Sequence, residues 1–455
     1  MGAADKNTSF KRQYLSAGCL YFGQFVVGYT MGWTAPILPK LQNIEETPLD
    51  KTITEAEASW MVSITFLGII LGPYISGYLG NLVGRKPCLY VSGGMYLLSY
   101  IILALAKSLV VIYIGRILVG VGMGVLFITN IVYIAELAST KIRGTLLTLT
   151  GFATTLGTLL VYSAGPYISY ATLNWMAAIL CVIFVVTLFL FVPESAVFLV
   201  MKGKKEEAMA TLSSLGRQGD IDEVVTQADD KPKPKIAQLT EMFTVKSNRK
   251  ATFIILSLNI LGQFSGMMIV IAFVSVIFEM TGSNIEAHIS TIIVGVTQVF
   301  SSIIAPLVVD RIGRRLLLLL SFAGCSLSLF SLGTYFYLYN NDYPIAEKLK
   351  LLTLVSIMVL CVAYYSGLGI IPNTFVGEMF TDTCRGFGGT FTVTIAWIFS
   401  FGISTAFGYV LPVWGPSVVF WIFSGSCAFG FFFTVFFVPE TKGKSLLAVQ
   451  ELLSK

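Results

Sequence analysis

The sequence predicts an all-α membrane protein with twelve transmembrane helices in two six-helix pseudo-repeats. Three observations carry that expectation. Of 455 residues only 12% are charged, about half the share usual in a soluble chain, and 55% are hydrophobic. Apolar windows long enough to cross about 30 Å of hydrocarbon recur twelve times along the chain. The two halves also repeat the same charged motifs in the same order.

The first window, 15–35, follows a polar segment and has no small-residue cleavage site, so no removable signal peptide is expected. Windows at 59–79, 88–106, 110–136, 145–165 and 173–192 complete a first half, 1–192. The polar segment 193–250 interrupts the series. It contains "KGKKEEAMATLSSLGRQ", with helical spacing, and a Lys/Pro/Asp stretch near 229–235, and it reads as short cytoplasmic helices. A second half, 251–438, holds windows at 251–280, 288–309, 315–339, 349–377, 387–409 and 416–438, and residues 439–455 form a tail.

Basic residues in short loops stay cytoplasmic. Lys6, Lys11 and Arg12, Arg85 and Lys86, Lys141 and Arg143, the lysines of 193–250, Arg311, Arg314 and Arg315, and Lys442 and Lys444 all fall on one side. Only Lys40, Lys51, Lys107, Lys348 and Lys350 fall on the other. Both termini and the central segment are therefore expected in the cytoplasm, in a multi-pass protein of the cell membrane. This asymmetry accounts for the formal charge of +5 without a nucleic-acid partner. Membrane lipid and a small molecule are the expected partners, and a monomer the expected working unit.

The seven cysteines lie almost wholly within windows and form no CxxC pair, which suits packing rather than a disulfide framework or metal site. His288 is the only histidine. With no phosphate-binding loop, nucleophile–base set or metal spacing, neither an enzyme nor a bound cofactor is expected. The sequon at Asn7 falls on the cytoplasmic side and is discounted.

The repeat is specific. Glu136, Arg143 and Gly144 recur 242 residues later as Glu378, Arg385 and Gly386. "NLVGRK" (81–86) answers "DRIGRR" (310–315), and "VPES" (192–195) answers "VPET" (438–441). Two parallel six-helix repeats joined by a cytoplasmic segment are an architecture of membrane carriers. One further stretch asks for explanation: "GQFSGMM" (262–268) places Gln263 and Ser265 inside an apolar window. A buried amide without a partner costs about 1–3 kcal/mol or more, so Gln263 must face a protein neighbour or a water-filled cavity.

With "GRILVGVGMG" (115–124), Tyr133, "GLGIIP" (367–372), "GEMF" (377–380) and "PETKGKSL" (439–446), these motifs resemble the sugar porter family of the major facilitator superfamily along nearly the whole chain. "GWTAPILPKLQ…ITEAEASW" is similar to the insect facilitated trehalose transporter branch.

That resemblance implies roles. Arg85, Glu136, Arg143 and Glu194 in one half, and Asp310, Arg314, Glu378, Arg385 and Glu440 in the other, would form networks that hold the cytoplasmic side closed. Asn81 stands where the motif usually has Asp, so the first network is expected to be weaker or to lean on Glu136 and Glu194. Proton-coupled relatives carry a carboxylate after the Gly-Tyr pair of the first span. Here Thr30 follows Tyr29, and Tyr364 and Tyr365 precede "GLG", which favours facilitated diffusion.

The family's pocket implies Gln263, Gln298, Trp397, Asn373, Ser265, Met268 and Gly151 as substrate positions. Gly151, Gly262, Met268 and Ala396 replace hydrogen-bonding residues usual there, which would enlarge the cavity and make it less polar. A trehalose or hexose carrier is the leading expectation. A carrier of a bulkier, less polar solute such as a glycoside, with or without proton coupling, stays open, as does a non-transporting sugar sensor.

Overall fold

Each predicted apolar window is helical in the computed structural model, which describes residues 3–139, 142–229, 235–282 and 285–454. There is no strand among them. Ten helical runs of the described residues are long and apolar enough to cross a membrane. The last, Thr383–Phe437, turns at Gly415 (φ 73°) between Pro412 and Pro416 and so supplies two spans, and the helix from Ala3 to Gly32 supplies the first. The expected twelve spans of a multi-pass membrane protein are thereby met.

The chain divides into two compact units. The first comprises Met1–Met31, Glu46–Asp50 and Ile64–Pro232. It holds most of α1 (Ala3–Gly32), the body of the helix Glu55–Leu82, and the helices Arg85–Ala104, Leu109–Leu137, Arg143–Ala164 and Tyr170–Phe191. With Thr34–Gln42 as α2, these are α3 to α7 in chain order. Lipid offers no water to polar groups, so buried hydroxyls bond to neighbouring helices. Ser92 of α4 donates to the Gly122 carbonyl of α5 at 2.9 Å, and Ser99 to that of Gly115 at 2.7 Å.

Three short helices complete this unit: α8 (Ala196–Met201), α9 (Lys205–Ser214) and α10 (Ile221–Asp229). They share a small apolar core that includes Val197, Leu199, Leu212 and Val224. Arg217 ties it to the end of α5, donating to the carbonyls of Glu136 (2.7 Å) and Leu137 (3.1 Å). Gln13 of α1 donates to Leu215 O at 2.9 Å.

The second unit comprises Gly32–Glu45, Lys51–Ser63 and Lys233–Lys455. Its helices are α11 (Lys235–Thr244), α12 (Lys246–Gln263), α13 (Met267–Glu279), α14 (Ala287–Ile312), α15 (Arg314–Asn340), α16 (Ile345–Lys348), α17 (Lys350–Ala363), α18 (Ile371–Met379), α19 (Asp382–Phe437) and α20 (Leu446–Ser454). Two features depart from a simple division into halves and a linker. The segment 193–250 is not one body, because α8 to α10 belong to the first unit while α11 packs on α12 and α19 in the second. The first predicted window also changes unit at Gly32: beyond it, α2 packs against α13.

The predicted window 349–377 is continuous in sequence but interrupted in space. A π-turn over Tyr364–Leu368 separates α17 from α18, where Gly367, Gly369 and Pro372 weaken the helix. Ser321 of α15 answers the freed backbone, donating to Ala363 O (2.6 Å) and accepting from Leu368 N (3.1 Å).

Candidate functional site

The repeated charged motifs fold into the same construction in each unit. In the first, "GRK" turns the chain from α3 into α4, with Gly84 at φ 113°, a conformation that disfavours any residue with a Cβ. That turn aims the first amides of α4 at the carboxylate of Glu194, whose Oε1 accepts from Arg85 N (3.0 Å) and Lys86 N (3.3 Å). A carboxylate at a helix N-terminus meets unsatisfied N–H groups and the positive end of the helix dipole. The Arg85 side chain reaches back to Glu136 on α5. Its Nε donates to both carboxylate oxygens (3.2 and 3.1 Å) and its Nη2 to one (2.9 Å), while Nη1 donates to Gly80 O (2.7 Å). The Ser195 hydroxyl donates to the other oxygen of Glu136.

The second unit repeats this. Gly313 (φ 105°) precedes Arg314, and Glu440 accepts from Arg314 N and Arg315 N, each at 3.1 Å. Arg314 pairs with Glu378 through Nε (3.2 Å) and Nη2 (3.1 Å), and the Thr441 hydroxyl donates to the other Glu378 oxygen at 2.5 Å. The "PE[S/T]" motif therefore has two jobs: its Glu caps a helix and its hydroxyl completes the neighbouring ion pair. Ser195 and Thr441 were not singled out in the sequence. The signal was there in the hydroxyl that follows each Glu.

The two copies differ in depth. The Arg85 and Glu136 side chains are 11% and 13% exposed, those of Arg314 and Glu378 15% and 27%. Asn81 is exposed. Burial raises the carboxyl of Glu194 above the usual range despite the backbone bonds it accepts. Burial acts on Glu440 too, but the amides of Lys442, Arg314, Arg315 and Thr441 outweigh it and hold that carboxyl below the usual range.

Arg143 does not join Glu136. It reaches Glu223 of α10 at 3.4 Å, α10 being packed on α8. Arg385 lies half-buried in the first turn of α19. The side chain of Asp310, and Lys141, lie outside the described residues.

"GQFSGMM" breaks its window in two. α12 ends at Gln263, and α13 begins at Met267 after Gly266 at φ 71°. A methyl group on Gly266 would fall 2.7 Å from the Phe423 ring. Ser265 is fully buried and its hydroxyl donates to Gly262 O at 2.6 Å, so it serves the broken backbone and is not available to a ligand. Gln263 is half-buried. Its Oε1 accepts from the Ser400 hydroxyl of α19 at 2.6 Å, the only side-chain bond of that amide among the described residues. The adjacent pair, Phe264 and Phe399, brings rings together at 6.2 Å.

Met268 and Trp397 are half-buried, and Asn373 is exposed on α18. Gln298 is fully buried in α14, its amide beside the Cys361 thiol. A Cβ added to Gly262 would meet nothing within 4 Å, and the same holds for Gly151 of the first unit. Thr30, in place of a carboxylate, donates or accepts at Tyr100 OH (2.7 Å) and bonds to Val26 O (2.9 Å). Ser400 is the residue that sequence reasoning missed. It is the one hydroxyl in "AWIFSF", three positions after Trp397 and so on the same helical face.

Comparison with known proteins accords with this geometry. Residues 17–453 match the family described as sugar (and other) transporter. The chain is 31% identical over 443 residues to the facilitated trehalose transporter Tret1 of Polypedilum vanderplanki, covering 96% of this chain and 87% of that one. It is 30% identical to the Tret1 of Culex quinquefasciatus, covering 95% and 84%. Among solved structures it is similar to the inward-open xylose transporter XylE from E. coli, with a TM-score of 0.80 and 24% identity over 97% of this chain and 99% of that one. A second structure, the proton:xylose symporter XylE bound to 6-bromo-6-deoxy-D-glucose, gives a TM-score of 0.76.

Proposed function

The chain belongs to the sugar transporter family, and from that premise we propose that it is a facilitative carrier of trehalose or a hexose, working by alternating access across the cell membrane. The observation that carries this reading is the match along 96% of the chain to a facilitated trehalose transporter. The relatives are transporters, so a transport cycle without covalent chemistry is the economical account.

In that account Gln263 contacts a sugar oxygen, Trp397 offers a ring face, and Met268 supplies an apolar, pliable wall. The open space at Gly262, one residue before Gln263, leaves room beside that amide for a bulky substrate. Gln298, fully buried beside Cys361, is a ligand in a further conformation of the cycle. The Arg85–Glu136 and Arg314–Glu378 pairs serve as cytoplasmic locks of the transport cycle, with both termini on that side. Thr30 and Tyr100 spend their hydroxyls on each other, which supports transport without a proton. Substrate and lipid are the partners, and one chain suffices.

A competition panel on purified protein in liposomes tests the reading. Trehalose or glucose is expected to inhibit labelled trehalose uptake, with and without a pH gradient. Uptake of labelled glycosides without uptake of labelled trehalose or glucose would replace the substrate class.

A further inference from the structure

We propose that Ser400 is a positioning residue for Gln263: it fixes the amide so that Nε2 faces the substrate, and Gln263 acts there only as a hydrogen-bond donor. This rests on Gln263 being a substrate ligand, as argued above.

A glutamine amide can present either its oxygen or its NH₂ by a half-turn about its last torsion, and nothing intrinsic selects between them. Here a second group selects. The separation of 2.6 Å falls in the range of an O–H···O bond and is short for N–H···O, which assigns the serine hydroxyl as donor and the amide oxygen as acceptor. Ser400 is also free to make that choice. Several hydroxyls on α19 turn back to the preceding turn of their own helix, among them Thr394 to Thr390 O (2.8 Å), Thr405 to Phe401 O (2.9 Å) and Ser426 to Ile422 O (3.0 Å), whereas Ser424 donates across to Ser326 O of α15 (2.8 Å). Ser400 likewise donates across, to α12.

The neighbouring structure holds the two residues in register. Phe264 and Phe399, one residue after Gln263 and one before Ser400, also meet, so two successive contacts join the end of α12 to α19. Trp60 closes the next position, edge-on to Phe401 at 6.0 Å and donating to Tyr409 OH at 3.0 Å. Because Ser400 is buried at 2% exposure while Gln263 is half-buried, the serine itself stays behind the amide. The consequence for specificity is chemical. The sugar oxygen at Gln263 must accept a hydrogen bond, so fluorine, which accepts weakly and cannot donate, can stand in for that hydroxyl where hydrogen cannot.

The experiment uses the full chain in liposomes, labelled trehalose as substrate, and monodeoxy and monodeoxyfluoro trehaloses as competitors. For the wild type, at least one position is expected where the deoxy analogue binds about tenfold more weakly and the fluoro analogue stays close to trehalose. Ser400→Ala is expected to raise KM about tenfold with kcat little changed and to erase that discrimination, and Ser400→Thr to restore both. Gln263→Glu keeps the serine bond but has no NH₂, and is expected to lose binding as fully as Gln263→Ala. A normal KM in Ser400→Ala while Gln263→Ala is inactive would overturn the role of Ser400 alone. Normal transport by Gln263→Ala would overturn the reading of Gln263 beneath it. Wild-type protein that rejects deoxy and fluoro analogues equally at every position would overturn the donor assignment, whatever the variants' yield.

Discussion

Two glycines four residues apart in "GQFSG" are predicted to respond to alanine with opposite signs. At Gly266 the backbone sits at φ 71°, ψ 2°, where an L-residue costs about 1–2 kcal/mol. The added methyl would also lie 2.7 Å from Cδ2 and 3.1 Å from Cγ of Phe423, a ring that is 5% exposed and cannot withdraw without moving its neighbours. Overpacking of that kind costs about 1–3 kcal/mol, so Gly266→Ala is expected to lose about 2–5 kcal/mol in total. At Gly262 the backbone is helical and the methyl meets nothing within 4 Å. Alanine there gains up to about 1 kcal/mol of helix propensity. Thermal denaturation of the purified variants, alongside uptake, checks both. Gly266→Ala is expected to denature well below the wild type and transport poorly, because the break that aims Gln263 is distorted. Gly262→Ala is expected to match or exceed the wild type in stability. Equal stability of the two variants would refute the argument that the break at Gly266 is enforced by its conformation and by Phe423.

Three further outcomes follow from the charged networks and from Thr30. Glu136→Gln leaves Arg85 largely buried without its counter-charge and is expected to cost about 3 kcal/mol, whereas Glu378→Gln, at a 27% exposed carboxylate, is expected to cost about 1–2 kcal/mol; denaturation of the two variants side by side measures the order, and a larger loss at Glu378 would reverse it. Glu440 titrates below its unfolded range, so its contribution is present at pH 7 and is lost as pH falls through its folded value, while the raised Glu194 contributes in the opposite sense and favours the folded state as pH falls toward the ordinary carboxyl range. Glu440→Gln is accordingly expected to destabilise at pH 7 more than Glu194→Gln, with the gap narrowing in acid, and stability curves of both variants from pH 7 to pH 4 would expose a gap that widens instead. Thr30→Asp places a carboxylate beside Tyr100, which lies within electrostatic reach of the buried Arg116, and is expected to make uptake rise as the outside pH falls; uptake indifferent to pH would count against the uncoupled reading of Thr30.

Much of this architecture was legible in the sequence because the bilayer enforces it. A span must be apolar over its whole length, so windows found the helices, and Gly84 and Gly313 betray the repeat because only glycine suits their turns. What the sequence concealed depends on contacts between segments far apart in the chain. Arg143 looked like a partner for Glu136, but the fold of α10 brings Glu223 to it. Ser265 looked like a ligand beside Gln263, but a broken helix needs its hydroxyl. Ser400 lay in an apolar run 137 residues from the amide it holds, and no local pattern links them. The assignment of α2 to the second unit is of the same kind: no local pattern in its nine residues shows that they pack against α13.

The most direct test of the central claim is counterflow in liposomes holding the purified chain, preloaded with unlabelled trehalose and diluted into labelled trehalose, with no pH difference and then with acid outside. The account predicts a transient overshoot of label in both conditions, equal in height, decaying to equilibrium, and loss of that overshoot in Gln263→Ala. An absence of overshoot without a pH gradient, followed by sustained accumulation once the outside is acid, would contradict it.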